Sequence, residues 1–487
     1  MSFNQVLKFF KTTTFRSLAV TLVGTLPLLS SFILVPYYTK FLSVESYGLL
    51  ALYISLTLLF QIIVSFSLET FIAINHYKTS ESIHDYNKLV SSGSIAQLLF
   101  GLFFLLILFV FFKMLSLLGI FDFIRTELLM LSGITAVMNS IFKNQTTLLI
   151  HKQNIKQYFI LNSSFFLLNI SLNLIYLLCF HVDIDGIICC RLISATIISL
   201  FVIYNIHTNY GLLFDPKCLS GLFSYCIPLV ILNLSNWIFN YFNNFVIMHF
   251  DKPSNVALYD LAMKLVIPLE LIQNGFSAIV APKIYKKWST HNHLTTENKQ
   301  FELLMNGNFS MSTILLTSII TLFIPIFVNV FLHKKDYLDV IWISQLLLIG
   351  LLFRHLYNLY TFQVYYNKNT ASLLSSFLKS AIIHLISSVI LISNFGLQGS
   401  IISFYISKIG LLVFLHIDYV KVNTVTKEFN NLYVAPSLYF FTYIILFVFI
   451  GNNFYLFEIS QFLVAISIIS IFYMNEAKST FKSLIKH

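Results

Sequence analysis

The sequence predicts an all-α protein that crosses a membrane many times. Three observations carry that class: the composition, the lengths of the apolar runs, and the placement of positive charge. Hydrophobic residues make up 57% of the 487 residues and charged residues 10%, with a mean hydropathy of +0.81. Soluble domains carry about 25% charged residues, so a water-soluble fold of this length lacks the charge to cover its surface. Disorder is excluded too, because it needs low hydrophobicity and high charge. The apolar residues suffice for about 14 spanning helices of about 20 residues each.

Polar breaks delimit the runs. The first six lie at 17–38, 47–72, 91–112, 126–148, 158–180 and 184–206. The next six lie at 222–249, 255–281, 309–332, 340–363, 372–393 and 399–417. A terminal pair follows at 432–450 and 454–474. Lys8, Lys11 and Arg16 precede the first run, which has no small-residue cleavage site and exceeds a signal-peptide core, so it reads as a retained span. The fourth run is interrupted by Asn139, Lys143 and Asn144. The longest polar stretch, near residues 283–308, leaves no room for a folded soluble domain.

Positive charge orients the runs. With the N-terminus cytoplasmic, the inner segments hold 19 of the 30 Lys and Arg, Lys143 among them, and the outer loops hold 6. That threefold bias predicts an even number of spans with both termini in the cytoplasm. It also accounts for the net charge of +10 without nucleic acid as a partner.

A weak internal repeat divides the chain. Ser163-Ser164-Phe165 recurs as Ser375-Ser376-Phe377, and Lys156 recurs as Lys368. Gly186 and Ser194 recur as Gly399 and Ser407, and Tyr47 as Tyr259. The near-constant offset predicts two six-helix lobes, 1–206 and 222–417, joined by the loop 207–221. Two lobes of even span number share one orientation, so an axis along the membrane normal relates them. Residues 418–487 form a two-helix appendix with a cytoplasmic tail.

Soluble-enzyme signatures are absent: there is no G-x-x-x-x-G-K-[ST], H-E-x-x-H or G-x-S-x-G. The missing phosphate-binding loop argues against ATP as the direct energy source. Cys179, Cys189, Cys190, Cys218 and Cys226 form no C-x-x-C pair and read as small apolar residues. His291 and His293 sit in a polar segment with no carboxylate or thiol nearby and read as solvated rather than metal-binding. No cofactor, metal or catalytic residue is expected.

The informative residues are ionisable groups inside the runs. The cations, candidates for binding substrate, are Arg191, Lys264, Arg354, Lys379 and Lys408; the carboxylates, candidates for ion coupling, are Glu69, Asp260 and Glu270. A charge at the centre of an isolated span costs about 2.5–3.5 kcal/mol, so such groups usually face a cavity or a partner. Asp260 and Lys264 are four apart, in the favourable order for an ion pair on one helix face. Glu270 follows Pro268, which weakens the helix there. Structural pairing competes with function for Asp260 and Lys264. Snorkelling to the interface competes for Lys379, Lys408 and Arg191, and for Glu69 near the end of its span. Five cations against three carboxylates suit an anionic substrate, since Arg and Lys are the usual phosphate-binding side chains.

Two stretches carry a resemblance. VPYYTKFLSVESYGLLALYISL at 35–56 holds Tyr47-Gly48 at the opening of the second span. Residues 223–285 hold Pro228, then Ala257, Tyr259, Ala262 and Lys264, then Gly275-Phe276 and Pro282 to Tyr285. Both resemble Wzx-type polysaccharide flippases of the multidrug/oligosaccharidyl-lipid/polysaccharide transporter superfamily. The resemblance implies two six-helix lobes around a cationic central cavity. It implies transfer of an undecaprenyl-pyrophosphate-linked oligosaccharide across the bacterial cytoplasmic membrane for O-antigen, capsule or another surface polymer. Membrane lipids, and the polysaccharide polymerase and chain-length machinery, would be its partners. Lys264 alone carries over from the matched pattern; the other cations stand on physical grounds. Competing readings are a drug/cation antiporter of the same superfamily, a peptidoglycan-precursor flippase and a membrane polysaccharide polymerase.

Overall fold

A backbone in hydrocarbon has to satisfy its own polar groups, so apolar runs of this length become helices. The computed structural model describes residues 13–79, 83–117, 124–180, 182–290, 296–332, 334–366, 370–420, 430–451 and 453–473. The described elements are all helical. Helix α1 spans Thr13–Phe41, α2 Val44–Ser65, α3 Leu68–Thr79, α4 Ile83–Leu117 and α5 Thr126–His151. Next come α6 (Ile155–Cys179), α7 (Ile184–Tyr210), α8 (Leu222–Phe250), α9 (Pro253–Thr290) and α10 (Thr296–Phe331). The remainder are α11 (Val340–Ile349), α12 (Arg354–Tyr366), α13 (Thr370–Val420), α14 (Asn430–Ile450) and α15 (Phe454–Phe472). The expectations for Lys8, Lys11, Lys368, His291 and His293 lie outside the described residues.

Eleven segments among the described residues are long and apolar enough to cross a membrane. The segment Ala371–Asp418 accounts for two of the expected spans, because α13 is broken at Gly396 (φ 54°, ψ −133°). Its halves fold back on each other: Ser380 Oγ donates to Ser407 O at 2.7 Å, and His384 Nδ1 lies 3.2 Å from Ser403 O. Helices α1 and α5, of 29 and 26 residues, cover the other two expected runs. The protein is an all-α, multi-pass membrane protein.

Two expected spans are not continuous helices. The run 47–72 is α2 followed by α3, broken at Phe66 and Ser67, which both have positive φ (46° and 55°). The run 340–363 is α11 followed by α12, joined by tight i→i−3 bonds such as Leu351 N–H to Leu348 O. Freed carbonyls at this second break find partners: Gln273 Nε2 donates to Leu351 O, and His355 Nδ1 lies 3.1 Å from Leu352 O.

The chain divides into two compact units, Met1–Ala257 and Leu258–His487. In the first, α2 packs on α5 and α8, α5 on α7, and α1 on α6. One of its apolar clusters joins Val64, Val137, Ile141, Leu161 and Val202. Gly48 permits one close approach: a Cβ there would lie 2.0 Å from Pro253 O. In the second unit, α14 and α15 pair and pack on α10 around Ile314, Ile349, Tyr439, Tyr443 and Phe457. The two glycines matched in the sequence repeat sit at close approaches. Gly186 opens α7 against the Tyr176 ring at the end of α6, and Gly399 opens the second half of α13 against Leu391. Outward faces are apolar, as on α4, where Leu102, Phe103, Leu106 and Phe111 are exposed.

Candidate functional site

The second unit gathers three of the predicted site residues. The break between α11 and α12 places Arg354 at the first position of α12. Its Nη1 lies 3.4 Å from Glu270 Oε1 on α9, and its Nη2 donates to Asn274 Oδ1 one turn further along. Lys408, in the second half of α13, interacts electrostatically with both Glu270 and Arg354, and its ammonium lies 5.0 Å from the Phe404 ring centroid. The Arg354 and Glu270 side chains are 25% and 26% exposed, so a polar ligand can reach them. Two cations against one carboxylate leave the group a net positive charge. Such a group can hold an anion through charge-assisted hydrogen bonds without being locked by full neutralisation.

Asp260 and Lys264 lie earlier on α9. They pair within α9 at 2.6 Å, with side chains 8% and 12% exposed. The favourable i,i+4 order reads out as a buried ion pair. Lys379 is exposed on α13 near the Phe414 ring, on a strip shared with Leu378, Ile382 and Ile386. A long Lys stem suits such an apolar, exposed strip.

In the first unit, Glu69 is buried just after the Phe66–Ser67 break, and its Oε1 lies 2.6 Å from Lys143 Nζ on α5. Lys143 is therefore a partner within a helix and not a loop charge. Two of the three polar residues that interrupt the fourth run are used between helices: Lys143 on Glu69, and Asn144, whose Nδ2 donates to Gln97 Oε1 at 2.9 Å. Arg191 lies beside the Tyr38 hydroxyl. That hydroxyl donates to Asn173 Oδ1, and Asn169 Nδ2 donates to Ser30 Oγ in the same α1–α6–α7 seam. Arg191 Nη1 is buried without a hydrogen-bond partner.

Sequence reasoning missed several residues. Lys143 is conspicuous in the sequence but reads there as a loop charge. Asn274 carries no charge and gives no signal. Glu458 sits one turn into α15 and is 6% exposed, with Oε1 unpartnered; an acid in an apolar run is signal enough. Among the described residues no group of three His, Cys, Asp or Glu could hold a metal ion.

A family model described as "Polysaccharide biosynthesis protein" matches residues 16–286, more than half the chain. The chain belongs to this family. No curated protein sequence matches it. Among solved structures it is similar to a lipid II flippase, MurJ, in an inward closed conformation, with TM-score 0.69 and 17% identity over 96% of this chain and 99% of that one. It is also similar to an inward-facing MATE-family multidrug resistance transporter of the MOP superfamily, with TM-score 0.64 and 15% identity over 84% and 97% of the chains. The MATE multidrug transporter DinF-BH gives TM-score 0.61 and 12% identity over 83% and 94%. The fold is that of the MOP transporters.

Proposed function

We propose that the protein is a flippase that moves an undecaprenyl-pyrophosphate-linked oligosaccharide across the bacterial cytoplasmic membrane for surface polysaccharide assembly. The observation that carries this reading is the Arg354–Lys408–Glu270 group. It has surplus positive charge, is partly open, and lies inside the span region of a chain from a polysaccharide biosynthesis family. The pyrophosphate is held by the guanidinium and the ammonium. Glu270 tempers that attraction, so the anion is held but also released. The lipid tail stays in the bilayer, where a protein groove would gain it no hydrophobic free energy.

Each predicted ion-coupling carboxylate has a cation partner: Glu69 has Lys143, Asp260 has Lys264 and Glu270 has Arg354. That weighs against a drug/cation antiporter, which needs a membrane carboxylate available to a coupling ion. In this reading both termini are cytoplasmic, the polymer is O-antigen or capsule, and a polymerase with its chain-length machinery takes the product.

The test is deletion followed by extraction of lipid-linked oligosaccharides. A complete repeat unit should accumulate on the cytoplasmic side. Wild type and Lys379→Ala should restore surface polymer, and Arg354→Ala should not. A normal lipid-linked profile with altered dye efflux would sink the reading.

A further inference from the structure

A cavity lies within the first unit. It has a volume of about 610 Å³ and lies where α4 and α6 begin and α5 and α7 end. That is inside the range of about 300–1,000 Å³ typical of small-molecule sites.

Its lining combines one cation, two phenols and several amides. Lys152, at the end of α5, donates to the Tyr210 hydroxyl. Its ammonium stands 4.7 Å from the Tyr86 ring centroid and 4.5 Å from that of Tyr210. No carboxylate among the described residues forms an ion pair with it. Gln145 is 7% exposed, and its Oε1 is buried without a hydrogen-bond partner. Asn205 and Asn209 supply further amides from α7.

These groups ask for complementary chemistry. Lys152 supplies positive charge and spare donors, which suit a phosphate. A phosphate alone leaves the Gln145 acceptor unmet, whereas a hydroxyl donates to it. The Asn amides both donate and accept, as neighbouring hydroxyls require. We propose that this cavity binds a hydroxyl-bearing phosphate ester, either a soluble sugar phosphate or the polyol-phosphate headgroup of a membrane lipid. The site stands on its own residues and does not rest on the flippase reading.

The experiment reads binding rather than transport, so the two ideas fail separately. Purified full-length protein in detergent is examined by native mass spectrometry with glucose 1-phosphate against glucose, and with phosphatidylglycerol against phosphatidylcholine. The charged, hydroxylated probe of at least one pair should be retained preferentially. Lys152→Gln should weaken that retention about tenfold, the scale of a lost charge-assisted hydrogen bond. Gln145→Leu should weaken it less, and the exposed-rim change Asn209→Ala serves if either buried-side variant fails to fold. Preference within the sugar pair assigns a soluble ligand; preference within the lipid pair alone assigns a headgroup. Equal retention of charged and neutral probes, or retention unchanged in every folded variant, overturns the proposal.

Discussion

Lys143 and Glu69 show how a residue's meaning changes once its neighbour is known. Glu69 is 5% exposed on its side chain, Lys143 is 39% exposed, and Glu69 Oε2 already lacks a partner. Removing one member of a buried pair leaves an uncompensated charge and costs about 3 kcal/mol, the low end of such losses because Lys143 is partly open. Lys143→Ala should therefore lower thermal stability in detergent, and Glu69→Gln combined with Lys143→Gln should recover most of it. Equal loss in the single and double variants would show that the pair contributes nothing. The charges themselves were legible in the sequence, because an ionisable group in an apolar run is conspicuous. Their pairing was not: Glu69 and Lys143 lie on different helices, and only packing brings them together. Asp260 and Lys264 were the exception, since helix geometry alone pairs positions four apart.

Helix breaks separate the legible from the hidden at the next scale. The break inside α13 was readable from its polar interruption and its glycines, and Gly396 and Gly399 are where the chain turns. A Cβ at Gly399 would sit 2.2 Å from Leu391 O, whereas one at Gly275 on α9 would meet nothing within 4 Å. Gly399→Ala should cost about 2 kcal/mol through overpacking, while Gly275→Ala should be neutral or stabilising through helix propensity. Comparable melting shifts in the two would refute the close-packing account. The break at Phe66–Ser67 was invisible because neither residue is Gly or Pro. Its αL backbone is held by tertiary partners, among them Asn233 Nδ2 donating to Ser67 Oγ at 3.2 Å. Helix α7 has a conventional start that carries a pH dependence. Asp183 Oδ1 accepts from the Tyr176 hydroxyl at 2.6 Å and from Gly186 N–H at 2.8 Å, and these bonds hold its carboxyl below the usual range. The stabilisation is present above the ordinary carboxylate pKa and is lost as pH falls through the lowered one. Asp183→Ala should cost about 1 kcal/mol at neutral pH. The gap to wild type should close in acid, which melting curves across pH would check.

For the whole molecule, the span pattern and the charge bias fix which ends of the helices face the same side. Reassigning Lys143 to a helix interior leaves 18 inner cations against 6 outer, so the threefold bias survives the correction. In the proposed orientation the loop after α7 is cytoplasmic and the loop after α8 lies outside. Between them runs α8, whose 29 residues extend about 43 Å, enough to cross a hydrocarbon core of about 30 Å. Ser220 and Lys252 are exposed on either side of it, which makes them suitable reporters. The background has to lack all five native cysteines; Cys226, fully buried beside Ser67, is best replaced by Ala. In intact cells a membrane-impermeant maleimide should label Lys252→Cys, and Ser220→Cys should react only after lysis. The reverse pattern would invert the orientation and remove the cytoplasmic termini with it. Labelling of both in intact cells would mean that α8 does not cross the bilayer, and every later span would change sides.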